Sequence, residues 1–198
     1  MQIKNRKNLF ILFFLIFFLF NSNLSADEFD ISANEILIDK ENEILVGKGS
    51  VKAVDSEGKI INADKVTYKK LKEFLSAEGR VKITDIEGNI LTTDRAEYDK
   101  INEIIRTYDN TKVVLREGHE LITKNILYDV RKKILSSNLN SIFTDNDGNR
   151  IETSMFQYDI TNNLFSSVGK IKIIDIKKNK YFFKEVYVDT KKKEMVGS

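Results

Sequence analysis

From about residue 33 onward, apolar and polar positions alternate with a period of two, the mark of a strand buried on one face. The alternation is broken at regular intervals by short polar clusters. Ile36/Ile38, Val66/Tyr68, Ala96/Tyr98, Ile126/Tyr128, Phe156/Tyr158 and Val186/Val188 form one series of inward pairs. Val51/Ala53, Val81/Ile83, Thr111/Val113, Ser141/Phe143 and Ile171/Ile173 form a second, with Leu45, Leu75, Ile105, Leu135 and Phe165 filling one more recurring apolar slot. Tyr68, Tyr98, Tyr128 and Tyr158 lie 30 residues apart, and Asp99, Asp129, Asp159 and Asp189 keep the same interval. A fixed period of this size signals stacked supersecondary units. Five complete units are predicted, about 33–62, 63–92, 93–122, 123–152 and 153–182, followed by a partial one to Ser198. Each is a strand, a turn, a second strand and another turn, giving roughly ten strands with connections too short for parallel crossovers. The class is all-β and antiparallel, and no stretch after the N-terminal segment shows sustained helical spacing.

The turns have recognisable chemistry. Asp39-Lys-Glu-Asn42, Asp99-Lys-Ile-Asn102 and Asp159-Ile-Thr-Asn162 offer side chains that bond to nearby backbone groups, and Asp85, Asp145 and Asp175 recur before turns as further backbone partners. Glu57-Gly58, Glu87-Gly88, Glu117-Gly118 and Asp147-Gly148 mark a second row of turns. Gly49, Gly79 and Gly169 fall inside strands, where glycine marks a bulge or sharp bend. A bend at the same place in every unit folds a flat meander into a V with an apolar seam between its walls. Asp109 and Leu139 replace this glycine in the third and fourth units, so the bend there is expected to be softer or the pairing irregular.

The N-terminus has a different pattern. Lys4, Arg6 and Lys7 precede an unbroken apolar run from Leu9 to Phe20, and Leu24-Ser25-Ala26 supplies small residues. That is the layout of a secretory signal peptide over residues 1–26, with the mature chain starting at Asp27. Twelve helical residues reach only about 18 Å, short of a hydrocarbon core of roughly 30 Å. Without this segment, 29 basic residues face 30 acidic ones, so no electrostatic footprint for nucleic acid survives. The chain has no cysteine and one histidine, His119, so disulfides and His- or Cys-clustered metal sites are not expected. His119 lies in a turn, where a solvent-exposed imidazole is the default. Asp145-Asn-Asp147-Gly-Asn149 has its glycine at the fourth position and Phe156 in place of a calcium loop's final Glu, so it reads as a hairpin turn. No Ser-His-Asp order, carboxylate pair or phosphate-cradling glycine loop is apparent, which argues against an enzyme, and no cofactor is implied. The lysines from Lys177 to Lys193 read as a solvated edge that discourages unwanted strand pairing.

Ala63-Asp64-Lys-Val-Thr-Tyr68 followed by Ala77-Glu-Gly79-Arg-Val81-Lys-Ile83-Thr-Asp85-Ile-Glu-Gly88-Asn resembles the OstA-like repeat of lipopolysaccharide-transport proteins. Asp94-Arg-Ala-Glu-Tyr98-Asp99 and Ser167-Val-Gly169-Lys-Ile171-Lys-Ile173 follow the same pattern. The resemblance implies an open β-jellyroll of folded antiparallel sheets over residues 27–198. Its interior would carry lipid A acyl chains, and its edge strands would pair with other OstA-like proteins in a bridge across the periplasm. By that pattern the lipid-contacting face is Ile36, Ile38, Val66, Tyr68, Ile83, Tyr98, Tyr128, Phe143, Phe156, Tyr158 and Ile173. A plain sandwich core requires the same residues. The repeat stops in mid-unit after Met195-Val-Gly-Ser198, which leads us to expect the N-terminal piece of an LptD-like protein with an outer-membrane barrel to follow. A stand-alone LptA-like bridge protein is the alternative. A secreted structural stalk without cargo is the rival of a different class. A conducting module calls for an open apolar seam, and a stalk for a closed core.

Overall fold

The computed structural model describes residues 29–198; the expected signal peptide lies outside the described residues. These form a single 17-stranded antiparallel sheet in which most strands pair with the next in the chain, while others skip one or two, as β1 does to reach β3 and β7 to reach β10. In chain order the strands are β1 (Phe29–Ser32), β2 (Glu35–Asp39), β3 (Ile44–Asp55), β4 (Ile60–Lys69), β5 (Phe74–Thr84), β6 (Ile90–Asp99), β7 (Ile104–Tyr108), β8 (Thr111–Val114) and β9 (Glu120–Thr123). They continue as β10 (Leu127–Asp129), β11 (Ile134–Ser137), β12 (Ser141–Thr144), β13 (Arg150–Thr153), β14 (Phe156–Asp159), β15 (Leu164–Ile174), β16 (Lys180–Asp189) and β17 (Glu194–Gly197). One 3-10 turn, Lys70–Lys72, is the sole helical element among them.

The sheet is folded lengthwise. Each long strand contributes one half to a first wall and the other half to a second. β3 shows this most clearly: its first half pairs with β2 and its second half with β1. The crease sits where the register slips, between Lys48 and Val51 in β3, Glu78 and Val81 in β5, and Val168 and Ile171 in β15. At those slips Gly49 (φ 73°) and Gly79 (φ 74°) are left-handed, each followed by a second left-handed residue, Ser50 and Arg80. Glycine is required at 79 for a further reason: a Cβ there would lie 2.5 Å from Asp64 Oδ2.

In the middle of the chain the crease is made differently. Asp109 (φ 61°) and Asn110 (φ 38°) adopt the same pair of left-handed conformations without glycine, which Asp and Asn tolerate best among the rest. The bend therefore persists there, and it is the pairing that becomes irregular, with β7 and β8 as separate strands. Equivalent breaks separate β9 from β10, β11 from β12 and β13 from β14. Backbone groups freed by the breaks need partners. Buried hydroxyls supply them: Thr93 bonds Tyr108 O and Asp109 O (3.0 and 2.8 Å), Ser141 bonds Leu139 O (2.6 Å), and Ile126 N donates to Thr107 Oγ1 (2.8 Å).

Both rows of turns form as the sequence suggests. Asp85 Oδ1 accepts from the backbone of Glu87 and Asn89 (3.0 and 2.9 Å), and its Oδ2 from Asn89 Nδ2 (2.8 Å). Asp145 repeats the arrangement with Asp147 and Asn149. On the other row Asp99 Oδ1 and Oδ2 accept from Asn102 N and Nδ2 (3.0 and 2.7 Å). These bonds stabilise the ionised carboxylate, so Asp99 sits below the usual carboxylate range, as do Asp39 and Asp159 in sister turns.

Candidate functional site

The space between the walls is lined by rows of side chains running at right angles to the strands. On the first wall, strand register aligns Leu45, Tyr68, Leu75, Tyr98, Ile105, Tyr128, Leu135, Tyr158 and Phe165 in one continuous row. The 30-residue period places tyrosine on alternate strands, and the strands between them bring Leu, Ile or Phe. On the second wall the facing row is Ala53, Ile61, Ile83, Leu91, Val113, Leu121, Phe143, Ile151 and Ile173. Aromatic contacts cross the gap: Phe143 lies 4.8 Å from Phe165 and 5.8 Å from Tyr158, ring centroid to centroid. Near the N-terminal end Phe29 does the same, with its ring 5.0 Å from Tyr68 and 6.0 Å from Tyr98.

Nine of the eleven residues expected to face lipid share this interior. Val66, Tyr68, Ile83, Tyr98, Phe143, Phe156, Tyr158 and Ile173 are buried, and Tyr128 is half-buried against them. Ile36 and Ile38 are not enclosed: they are 43% and 64% exposed on β2. β2 is the last strand of the first wall, paired only with β3, so its inward face has no neighbour on the far side.

The interior is closed along most of its length. Behind the middle turns it holds two small voids of about 40 and 10 Å³. It opens at the C-terminal end into a cavity of about 310 Å³ lined by Phe143, Ile151, Ile173, Tyr181, Val188 and Met195, with Asp147, Asp175 and Lys193 at the rim. Two larger concavities, about 580 and 940 Å³, lie on the outer faces beside the crease. Their lining mixes outward side chains, such as Arg106 and Gln157 on one wall and Lys112 and Lys172 on the other, with buried residues at the crease, Thr107 and Phe156 in the first and Thr111 and Ile171 in the second.

Sequence reasoning missed how the slot is shut. Its two lips are the two rows of turns, and ion pairs join them across the gap: Lys100 with Glu57 (3.4 Å), Lys133 with Glu87, and Lys193 with Asp147. The signal was present, because Glu87 and Asp147, and Lys133 and Lys193, are each 60 residues apart. Below the first lip turn, Lys59 Nζ donates to Asp55 Oδ2 (3.1 Å) and to Tyr98 Oη (3.0 Å), with both members of the ion pair buried. Burial raises the Tyr98, Tyr128 and Tyr158 hydroxyls above the ordinary phenol range, so these groups stay neutral inside the slot.

His119 is also a correction. It is 4% exposed instead of solvated, tilted against Phe143 at 5.6 Å, and burial lowers its pKa below the ordinary imidazole value. The physical reason is its place on the inward side of the lip turn, beside Leu115, which occupies the position of an aspartate in the sister turns. Among the described residues no group of three or more His, Asp or Glu side chains is placed to hold a metal ion. What the site offers is an apolar slot with neutral tyrosine hydroxyls inside it and ion pairs along its lips.

Fold and slot together define a folded antiparallel β-jellyroll of the LptA-like kind. Among solved structures the chain is similar to LptH from Pseudomonas aeruginosa, described as the LptA-homologous periplasmic component of the conserved lipopolysaccharide transport device. The match has 17% sequence identity and a TM-score of 0.50, and covers 55% of this chain and 82% of that one. At that identity the likeness establishes the fold. No protein-family model matches the chain. No curated protein matches it.

Proposed function

We propose that this chain is a periplasmic lipid-conducting module of lipopolysaccharide transport, holding lipid A acyl chains between its walls. The observation that carries the reading is the pair of facing apolar rows, unbroken from Leu45 to Phe165 and from Ala53 to Ile173, ending in an open apolar mouth. Burying a side chain of this size against an acyl chain stabilises by about 1.5–3 kcal/mol, as it does against protein. The fold shared with a periplasmic transport component supports the same assignment. Exposed apolar residues on the last two strands, Phe182 at 73% and Val196 at 71%, suit an added strand from another OstA-like domain. Within this reading the chain serves as the N-terminal part of an LptD-like protein associated with the outer membrane. It receives lipopolysaccharide from the bridge and carries out no catalysis. The stand-alone LptA-like setting uses the same slot. The lip ion pairs and small inner voids favour the rival, a structural stalk with a permanently closed core.

Photo-crosslinking separates them. A crosslinkable residue at Tyr98 or Phe156 is expected to label lipopolysaccharide, and one at the outward-facing Glu97 is not. Absence of label at every inward position would exclude transport and leave the stalk.

A further inference from the structure

The lips are built from equivalent turns, and comparing the equivalents isolates one of them. In four turns of the second lip, the fifth residue donates from its side chain to an aspartate four positions earlier. The pairs are Lys59 to Asp55 (3.1 Å), Asn89 to Asp85, Asn149 to Asp145 and Asn179 to Asp175 (each 2.8 Å). The third turn has Leu115 and His119 at those positions. His119 has lost its acceptor, and its Nδ1 is the one buried side-chain polar atom without a hydrogen-bond partner among the described residues. A polar atom left this way is costly unless something else satisfies it.

The opposite lip differs at the same place. Lys133 follows its partner Glu87 by 46 residues, and Lys193 follows Asp147 by 46. The same step from Glu117 falls on Asn163, which has no ammonium group. Its backbone is that of the two lysines, with φ 56° against 56° and 59°. No ion pair forms at Glu117 among the described residues. Behind this unclasped turn lies the smaller inner void, lined by Leu115, His119 and Leu121; the larger, which Leu115 also borders, extends toward the neighbouring Asp85–Asn89 turn. An apolar residue facing inward, an unpartnered imidazole nitrogen, a missing clasp and residual free volume therefore coincide at one point on the lip.

We propose that the turn Leu115–His119, opposite Asn163, is a lateral portal of the slot. It admits the acyl chain of an amphiphile past Leu115, while His119 Nδ1 forms a hydrogen bond with the lipid's polar head at the lip. Parting the lips here breaks no ion pair, whereas parting them at Glu87 or Asp147 breaks one. The proposal rests on the lipid-conducting reading above and adds to it where the lipid passes.

The test uses the full chain, purified lipopolysaccharide and the rate at which a crosslinker at Phe156 becomes labelled. Asn163→Lys supplies the absent clasp on a backbone already shaped for it, and is expected to slow labelling by about two- to fivefold, the range of one exposed ion pair. Adding Glu117→Gln to that variant is expected to restore the parent rate. The one histidine of the chain gives a second readout: its imidazole resonances are expected to shift when lipopolysaccharide is added. Slowing that persists after Glu117→Gln, or a rate indifferent to Asn163→Lys, would overturn the portal and send the lipid through the ends of the slot. Unmoved imidazole resonances in a chain that still labels would overturn the head-group contact. A parent chain that labels at no inward position, Phe156 and Tyr98 included, removes the conducting reading itself, and the portal with it.

Discussion

Replacing Phe165 with alanine measures whether the slot is solidly packed. Phe165 is 0% exposed, belongs to the first wall, and meets Phe143 of the second wall at 4.8 Å and Phe156 at 5.8 Å. Its ring thus belongs to the packing that holds the walls together, and neighbouring backbone is fixed by strand pairing on both sides, with Tyr158 and Val188 opposite it. Such a site collapses poorly around a cavity. Phe-to-Ala changes in packed cores cost about 3–5 kcal/mol, from lost transfer energy plus the void left behind. For a domain of this size each kcal/mol moves the thermal midpoint by about 2–4 °C, so a fall of about 6–20 °C is expected. Urea or guanidinium unfolding should show a lower midpoint with an unchanged slope, the sign that stability and not compactness has changed. Phe182→Ala, at a ring 73% exposed, supplies the comparison and should stay within about 0.5 kcal/mol of the parent. If Phe165→Ala also cost less than about 1 kcal/mol, the interior would not be dry and packed in solution, and the rows of buried residues would not be what holds the walls together.

Two other outcomes follow from the crease and the lip. Thr107→Val keeps shape but removes the acceptor for Ile126 N (2.8 Å) and the partner of Thr111 (2.7 Å). An orphaned buried donor costs about 1–3 kcal/mol, so chemical denaturation should show a loss in that range, and an unchanged midpoint would mean the strand breaks are hydrated. His119 is held below its ordinary pKa by burial, against the opposing fields of Asp145, Glu117 and Asp147, with Lys193 adding to the lowering. The unfolded chain therefore binds a proton before the folded one does, and stability should decline as pH falls below about 6.5. His119→Asn should remove that part of the decline in unfolding experiments between pH 7.5 and 5.5. Identical slopes in both proteins would show that the imidazole titrates normally and is not enclosed.

The tyrosine ladder, the aspartate turns and the in-strand glycines were legible because each depends on local rules: side-chain alternation, side-chain-to-backbone bonding over four residues, and left-handed φ. Those rules placed nine of the eleven expected lining residues in one interior. Ile36 and Ile38 have the same pattern as the others and differ only in lacking a neighbouring strand, which alternation cannot express. His119 was misjudged for a related reason. A histidine after a Glu-Gly turn looks solvated until its sister positions are seen to point inward.

By itself, the sequence determined a repeated antiparallel strand, its inward face and the points where it must bend, because each is encoded within about fifteen residues of chain. Only the tertiary structure decided that the two rows of turns meet. Residues 43 to 46 apart, such as Glu57 with Lys100 and Glu87 with Lys133, are brought together by the stagger between the walls. That stagger follows from the pairing registers and creases of all the strands between the two turns, which no single unit contains.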